Sequence, residues 1–171
     1  MKISESKILM SSLFATGIAG IVSEYVLATL ATYFLGNSVF QWTIILSIML
    51  FSMGLGSRLS KLVNKYVIEY FIAAELTLSL LTSMCALAVY SLMGVTQYIE
   101  IIIYILAILV GLLIGLEIPL VTRINGRYHE LKANISSVME KDYYGSLIGG
   151  LFFAFIGLPY LGLTYTPFVL G

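Results

Sequence analysis

Five long apolar blocks, joined by connections that alternate between uncharged and charged, constrain this chain more than any other feature. They cover residues 8–35, 39–59, 67–93, 98–121 and 143–163. About 20 residues of helix cross a hydrocarbon core of about 30 Å, so each block is long enough to span. The short connections at 36–38 ("GNS") and 94–97 ("GVTQ") carry no charge, whereas 58–69 ("RLSKLVNKYVIE") and 122–142 are rich in it. All nine Lys and Arg residues (Lys2, Lys7, Arg58, Lys61, Lys65, Arg123, Arg127, Lys132 and Lys141) fall on one side of this map. The positive-inside rule makes that side cytoplasmic, with the N-terminus inside. The expectation is an all-α, polytopic membrane bundle of about five helices, a single transmembrane domain over 1–171 in a bacterial-type cell membrane.

Composition excludes the soluble alternative. Of 171 residues 60% are hydrophobic and 11% charged, against roughly 45–50% and about 25% in soluble domains. Nine acidic residues balance the nine basic ones, leaving no surplus to recruit nucleic acid. The first apolar run is too long for a cleavable signal peptide and is expected to remain as a span. The closing "LGLTYTPFVLG" ends one apolar block and begins another at Phe168, an ending expected of a fragment.

Chemical motifs are scarce. Cys85 stands alone in an apolar block, which rules out a disulfide framework. "MGLGS" (53–57) follows an apolar span rather than a strand and lacks the third glycine of a dinucleotide loop. His129, the one histidine, has no partners for a metal site. No Ser, His and Asp are arranged for nucleophilic catalysis. The sequon-like "NIS" at Asn134 would face the cytoplasm, out of reach of glycosylation. Tyr33, Trp42 and Tyr98 suit the outer interface. For 122–142, two forms stay open: a short interfacial helix carrying Ile124, Leu131, Ile135 and Val138, and a charged linker.

Carboxylates inside apolar spans are the residues that ask for a function. A charge at mid-helix costs roughly 2.5–3.5 kcal/mol on insertion scales, so such side chains face the protein interior. Glu24 lies near the middle of the first span, Glu75 about two turns into the third, and Glu117 near the end of the fourth. Glu24 shares a helical face with Gly17, Gly20, Ala28 and Ala31, a small-residue stripe that lets another helix come close. Asp142 heads a similar stripe of Gly145, Ser146, Gly149 and Gly150, and is expected to double as the N-cap of the fifth helix. Glu75 shares its face with Ser79 and Thr82. Gly111 and Gly115 form a further packing pair, but Glu117 lies about 200° around the helix from Gly115. Pro119 cannot donate to the carbonyl of Gly115. The last turn should therefore loosen and kink, letting Glu117 bend toward Arg123.

Read in order, the intramembrane acid of span one, "YFLGNSVFQ", "SMGLGSRLS", Glu75, "GLLIGLEIPL" and "DYYGSLIGG" resemble the N-terminal membrane region of spermidine synthase-like proteins, the membrane-fused polyamine aminopropyltransferases. The Glu-Ile-Pro and Asp-Tyr-x-Gly-x-x-x-Gly-Gly blocks are the most specific elements. The resemblance implies further spans and a soluble Rossmann-like domain that transfers an aminopropyl group from decarboxylated S-adenosylmethionine to putrescine. No such domain lies within these residues, so no catalytic residue, metal or cofactor is assigned. The resemblance matches Glu24, Glu75, Glu117 and Asp142 to the family's intramembrane acidic positions.

Two functions are weighed. The first is a membrane module that anchors or partners a cytosolic aminopropyltransferase domain, with the small-residue stripes serving helix packing or self-association in the bilayer. The alternative is a transport or sensing module in which the buried carboxylates handle protons or a cationic amine. An enzyme confined to these residues ranks last.

Overall fold

The structure is a computed structural model that describes residues 2–93, 98–126 and 131–171. The 94–97 connection, Arg127 and His129 lie outside the described residues. Helix α1 runs Lys2–Leu35, α2 Ser38–Leu59, α3 Val67–Met93, α4 Ile99–Asn125 and α5 Leu131–Phe152. A 3-10 turn, Ser60–Leu62, follows α2. A π-helical segment, Phe153–Leu161, continues α5, and α6 (Gly162–Leu170) closes the described chain.

Among the described residues, five stretches are long and apolar enough to cross a membrane: Ser6–Leu35, Ser38–Leu62, Val67–Leu92, Ile99–Asn125 and Leu131–Leu170. Large apolar side chains lie on the outside as well as in the core. Ser23, Ser52, Thr82, Gln41 and Glu117 are buried, while Leu50, Phe51, Leu76, Leu80 and Phe155 are exposed. A water-soluble bundle rarely exposes so much contiguous apolar surface.

Helix α1 is central and packs against all five other helices. Its small residues permit this: glycines at 17 and 20 and alanines at 19, 28 and 31 leave room on several faces. One core cluster surrounds Val22, Val26, Leu30, Ile45, Met49 and Val89. A second, at the end of the bundle that carries the basic residues, joins Leu13, Phe71, Leu120, Val121, Ile124 and Val138.

The α1–α2 connection shows local sequence at work. Gly36 (φ 75°) and Asn37 (φ 44°) take left-handed backbone, which Gly and Asn tolerate best. The Gly36 amide donates to the Thr32 carbonyl at 3.0 Å, closing α1. The Asn37 carboxamide accepts from the Phe40 amide at 3.3 Å, opening α2.

Two expectations change here. The fifth helix begins at Leu131 rather than near residue 143, so residues 131–142 are helix continuous with the fifth apolar block and not a linker. Asn134, Val138, Gly145 and Gly149 form one continuous buried stripe along α5, and this helical spacing carries the element straight into the apolar block. Asp142 therefore sits in mid-helix and caps nothing. At the far end the chain folds back. Gly157 lies against Thr166, a pair that a straight helix would hold about 13 Å apart. The turn falls at Gly162 (φ 71°), and α6 packs on α3 and α1.

Candidate functional site

The polar interior concentrates near the basic end of the bundle. Glu75, half-buried on α3, accepts from Ser12 Oγ at 2.9 Å, and Thr16 Oγ1 stands 3.0 Å from each of its oxygens. Both hydroxyls belong to α1. The same-helix residues Ser79 and Thr82 do not serve Glu75. Thr82 accepts from Ser23 Oγ at 2.9 Å, and Ser79 donates to the Gly171 carbonyl. Thr16→Val is expected to lower stability in detergent by about 1–2 kcal/mol, since it strips a half-buried carboxylate of a donor. Chemical denaturation should show that cost shrinking when Glu75 is already Leu.

Glu117 is the innermost acid. It is 2% exposed, and its Oε1 has no hydrogen-bond partner among the described residues. Glu24 of α1, Glu75 of α3 and Asp142 of α5 are each half-buried.

The ion pair expected between Glu117 and Arg123 does not form. Helix α4 continues through Pro119 to Asn125, so Glu117 stays on its face of the helix. Six residues turn a helix by about 240°, which points Arg123 elsewhere. Its guanidinium donates to backbone carbonyls: Val63 at 2.8 Å, Pro119 at 3.4 Å, and Ser60. Arg123 therefore staples the end of α4 to the turn after α2, satisfying carbonyls that a helix end leaves open.

The glycines sort into three contacts. A Cβ on Gly17 would stand 2.6 Å from the Asp142 carbonyl oxygen, and one on Gly149 would stand 2.7 Å from that of Ile18. Gly145 faces the Phe14 carbonyl in the same α1–α5 seam. Gly111 and Gly115 bring α4 onto the Met49 and Met53 backbone of α2. Gly20 meets Ile114 of α4, and Gly150 lies beside the Tyr25 ring. Gly56 was missed by sequence reasoning. It lies in "MGLGS", set aside as a failed nucleotide loop, yet it abuts the Leu112 carbonyl across the α2–α4 seam.

A second missed feature links three helices. Asn125 accepts from Ser6 Oγ at 2.7 Å and donates to Asn134 Oδ1 at 2.7 Å. Asn134 in turn donates to the Thr122 carbonyl at 2.7 Å. Asn134 was noticed only as a sequon-like residue; its value lies in being buried and paired. Near the other end, Tyr104 Oη reaches Gln41 Oε1 and Glu100 Oε1, each at 3.0 Å.

Fold and site together define a class: a bundle of apolar helices, long enough to cross a membrane, with acids and amides turned inward. Comparison with known proteins narrows it. The chain is 50% identical over 170 residues to polyamine aminopropyltransferase 2 of Aquifex aeolicus (strain VF5), a match covering 98% of this chain and 34% of that protein. It is 38% identical over 152 residues to the polyamine aminopropyltransferase of Leptospira interrogans, covering 89% of this chain and 30% of the relative. Polyamine aminopropyltransferase 1 of Streptomyces coelicolor is 32% identical over 166 residues, covering 96% and 31%. The chain therefore matches a fragment of the polyamine aminopropyltransferase family and spans about a third of the length of the curated relatives it matches. No family model and no solved structure matches it.

Proposed function

We propose that this chain is the membrane-embedded module of a polyamine aminopropyltransferase-type protein, and that it holds an aminopropyl-transferring domain at the cytoplasmic face without performing chemistry itself. The observation that carries this reading is the match over 98% of this chain with only 34% of the Aquifex protein. A part that accounts for a third of a larger protein, made of apolar helices with a tightly packed interior, has the character of an anchor. Charge supports the orientation. Lys7, Arg58, Lys61, Lys65 and Lys132 are exposed, and on the expected topology all face the inner leaflet, whose anionic lipids attract them. Leu50, Phe51, Leu76 and Leu80, exposed in the structure, would lie against lipid at no desolvation cost.

Fractionation tests this in two arms. The 171-residue chain expressed alone should stay in the membrane pellet after an alkaline carbonate wash. Excising the matched third from the Aquifex relative, together with any further apolar spans that follow it, should move the remainder to the soluble fraction with aminopropyl transfer retained. A chain that washes off, or an excised remainder that still sediments with membranes, would refute the anchor.

A further inference from the structure

Where α2 gives way to α3, the bundle carries an open groove with cations at one end and leucines along its walls. Two adjoining clefts make it up, of about 560 and 610 Å³, and Leu59 and Leu62 border both. Leu112 and Leu116, one turn apart on the same face of α4, border one cleft each. Gly56 of α2 abuts the Leu112 carbonyl, so leucines from both helices flank a single trough. Arg123 fixes the turn above it by donating to the carbonyls of Ser60 and Val63.

The groove is charged at one end only. Arg58 and Lys61 border the 560 Å³ cleft together with Leu55, and both cations are exposed. Among the described residues the ion pair formed is that of Lys141 with Glu140, so no acid neutralises Arg58 or Lys61. Lys65, across the turn, shares a cleft with Glu69, which offsets its charge. Leu55 and Leu112 lie a turn deeper in their spans than Leu59 and Leu116, leading away from the cations. A soluble anion would use the cations and leave the leucines bare, and a neutral lipid would do the reverse. Only an anion joined to a hydrocarbon chain satisfies both, and a guanidinium fork suits a phosphate in particular.

We propose that this groove binds one anionic phospholipid of the inner leaflet, its phosphate held by Arg58 and Lys61 and an acyl chain laid along Leu59, Leu55 and Leu112. The site rests on the membrane reading above, which sets these cations at the inner leaflet. It adds one defined lipid to the general attraction of basic residues for that surface.

Native mass spectrometry of the full 171-residue chain in detergent tests it, with phosphatidylglycerol and phosphatidylcholine of identical acyl chains as probes. One phosphatidylglycerol should be held about 30-fold more tightly than phosphatidylcholine, the gain expected of two basic residues at an anionic head. Arg58→Gln with Lys61→Gln should erase that preference. Lys7→Gln with Lys132→Gln, which removes as much charge from exposed positions elsewhere, should leave it intact. Leu59→Trp, which fills the groove and keeps both cations, should weaken retention of phosphatidylglycerol about tenfold by overpacking. Glycerol 3-phosphate in large excess should not displace the lipid. Equal retention of the two lipids by the parent chain would overturn the proposal. So would a preference that survives loss of Arg58 and Lys61, which would leave these cations to a soluble partner. Displacement by glycerol 3-phosphate would overturn it too, making the site one for soluble phosphates. None of these results bears on the anchor, which the carbonate wash judges.

Discussion

Gly115→Ala lowers the stability of the detergent-solubilised chain by about 2 kcal/mol, whereas Gly54→Ala, on the facing helix, raises it by up to about 1 kcal/mol. Helix propensity favours both changes, since Gly in a helix interior is about 1 kcal/mol worse than Ala. Packing separates them. A Cβ on Gly54 would meet nothing within 4 Å. A Cβ on Gly115 would meet the Met53 backbone, its Cα at 2.6 Å and its carbonyl carbon at 2.7 Å, so α2 and α4 must part. Overpacking against rigid neighbours costs about 1–3 kcal/mol, and here the neighbour is main chain rather than a side chain that could swing away. Chemical denaturation followed by circular dichroism reads both variants. Equal effects at the two positions would mean that α2 and α4 do not meet at Gly115.

Asn125→Ala carries the second large effect, a loss of about 2–3 kcal/mol. Asn125 ties the start of α1 to the end of α4 and the first turns of α5. Its removal leaves Asn134 Oδ1 without the donor that reaches it at 2.7 Å, inside a site where both Asn residues are 1% exposed. Each buried polar group stranded in this way costs about 1–3 kcal/mol. Asn64→Ala, at an exposed position, should stay within about 0.5 kcal/mol of the parent in the same denaturation experiment.

What the sequence disclosed and what it withheld divide along a physical line. Apolar block length and the placement of cations are properties of the chain read one segment at a time. Five long apolar helices could accordingly be read directly. Helical periodicity also found the glycine seams at 17, 145 and 149 and at 111 and 115, because a stripe of small residues is written within one helix. Partnership between helices is not written that way. Glu75 shares a face with Ser79 and Thr82 on its own helix, but Ser12 and Thr16 on α1 donate to it. Proximity along the chain was equally misleading for Glu117 and Arg123, which a continuous helix turns toward different neighbours. The start of α5 was misplaced because the charges between residues 132 and 142 look like loop. In fact Asn134 and Val138 already lie on the buried stripe, and Lys132 projects outward.

The account rests on the chain crossing the bilayer with its basic end inside. Cysteine labelling of intact cells tests this most directly, in Cys85→Ala protein so that the one native thiol is absent. Ser38, the first residue of α2, and Lys132, in the first turn of α5, are both exposed. A membrane-impermeant maleimide should label Ser38→Cys in intact cells and reach Lys132→Cys only after the membrane is permeabilised. Labelling of Lys132→Cys in intact cells would contradict the orientation and, with it, the placement of any partner domain in the cytoplasm.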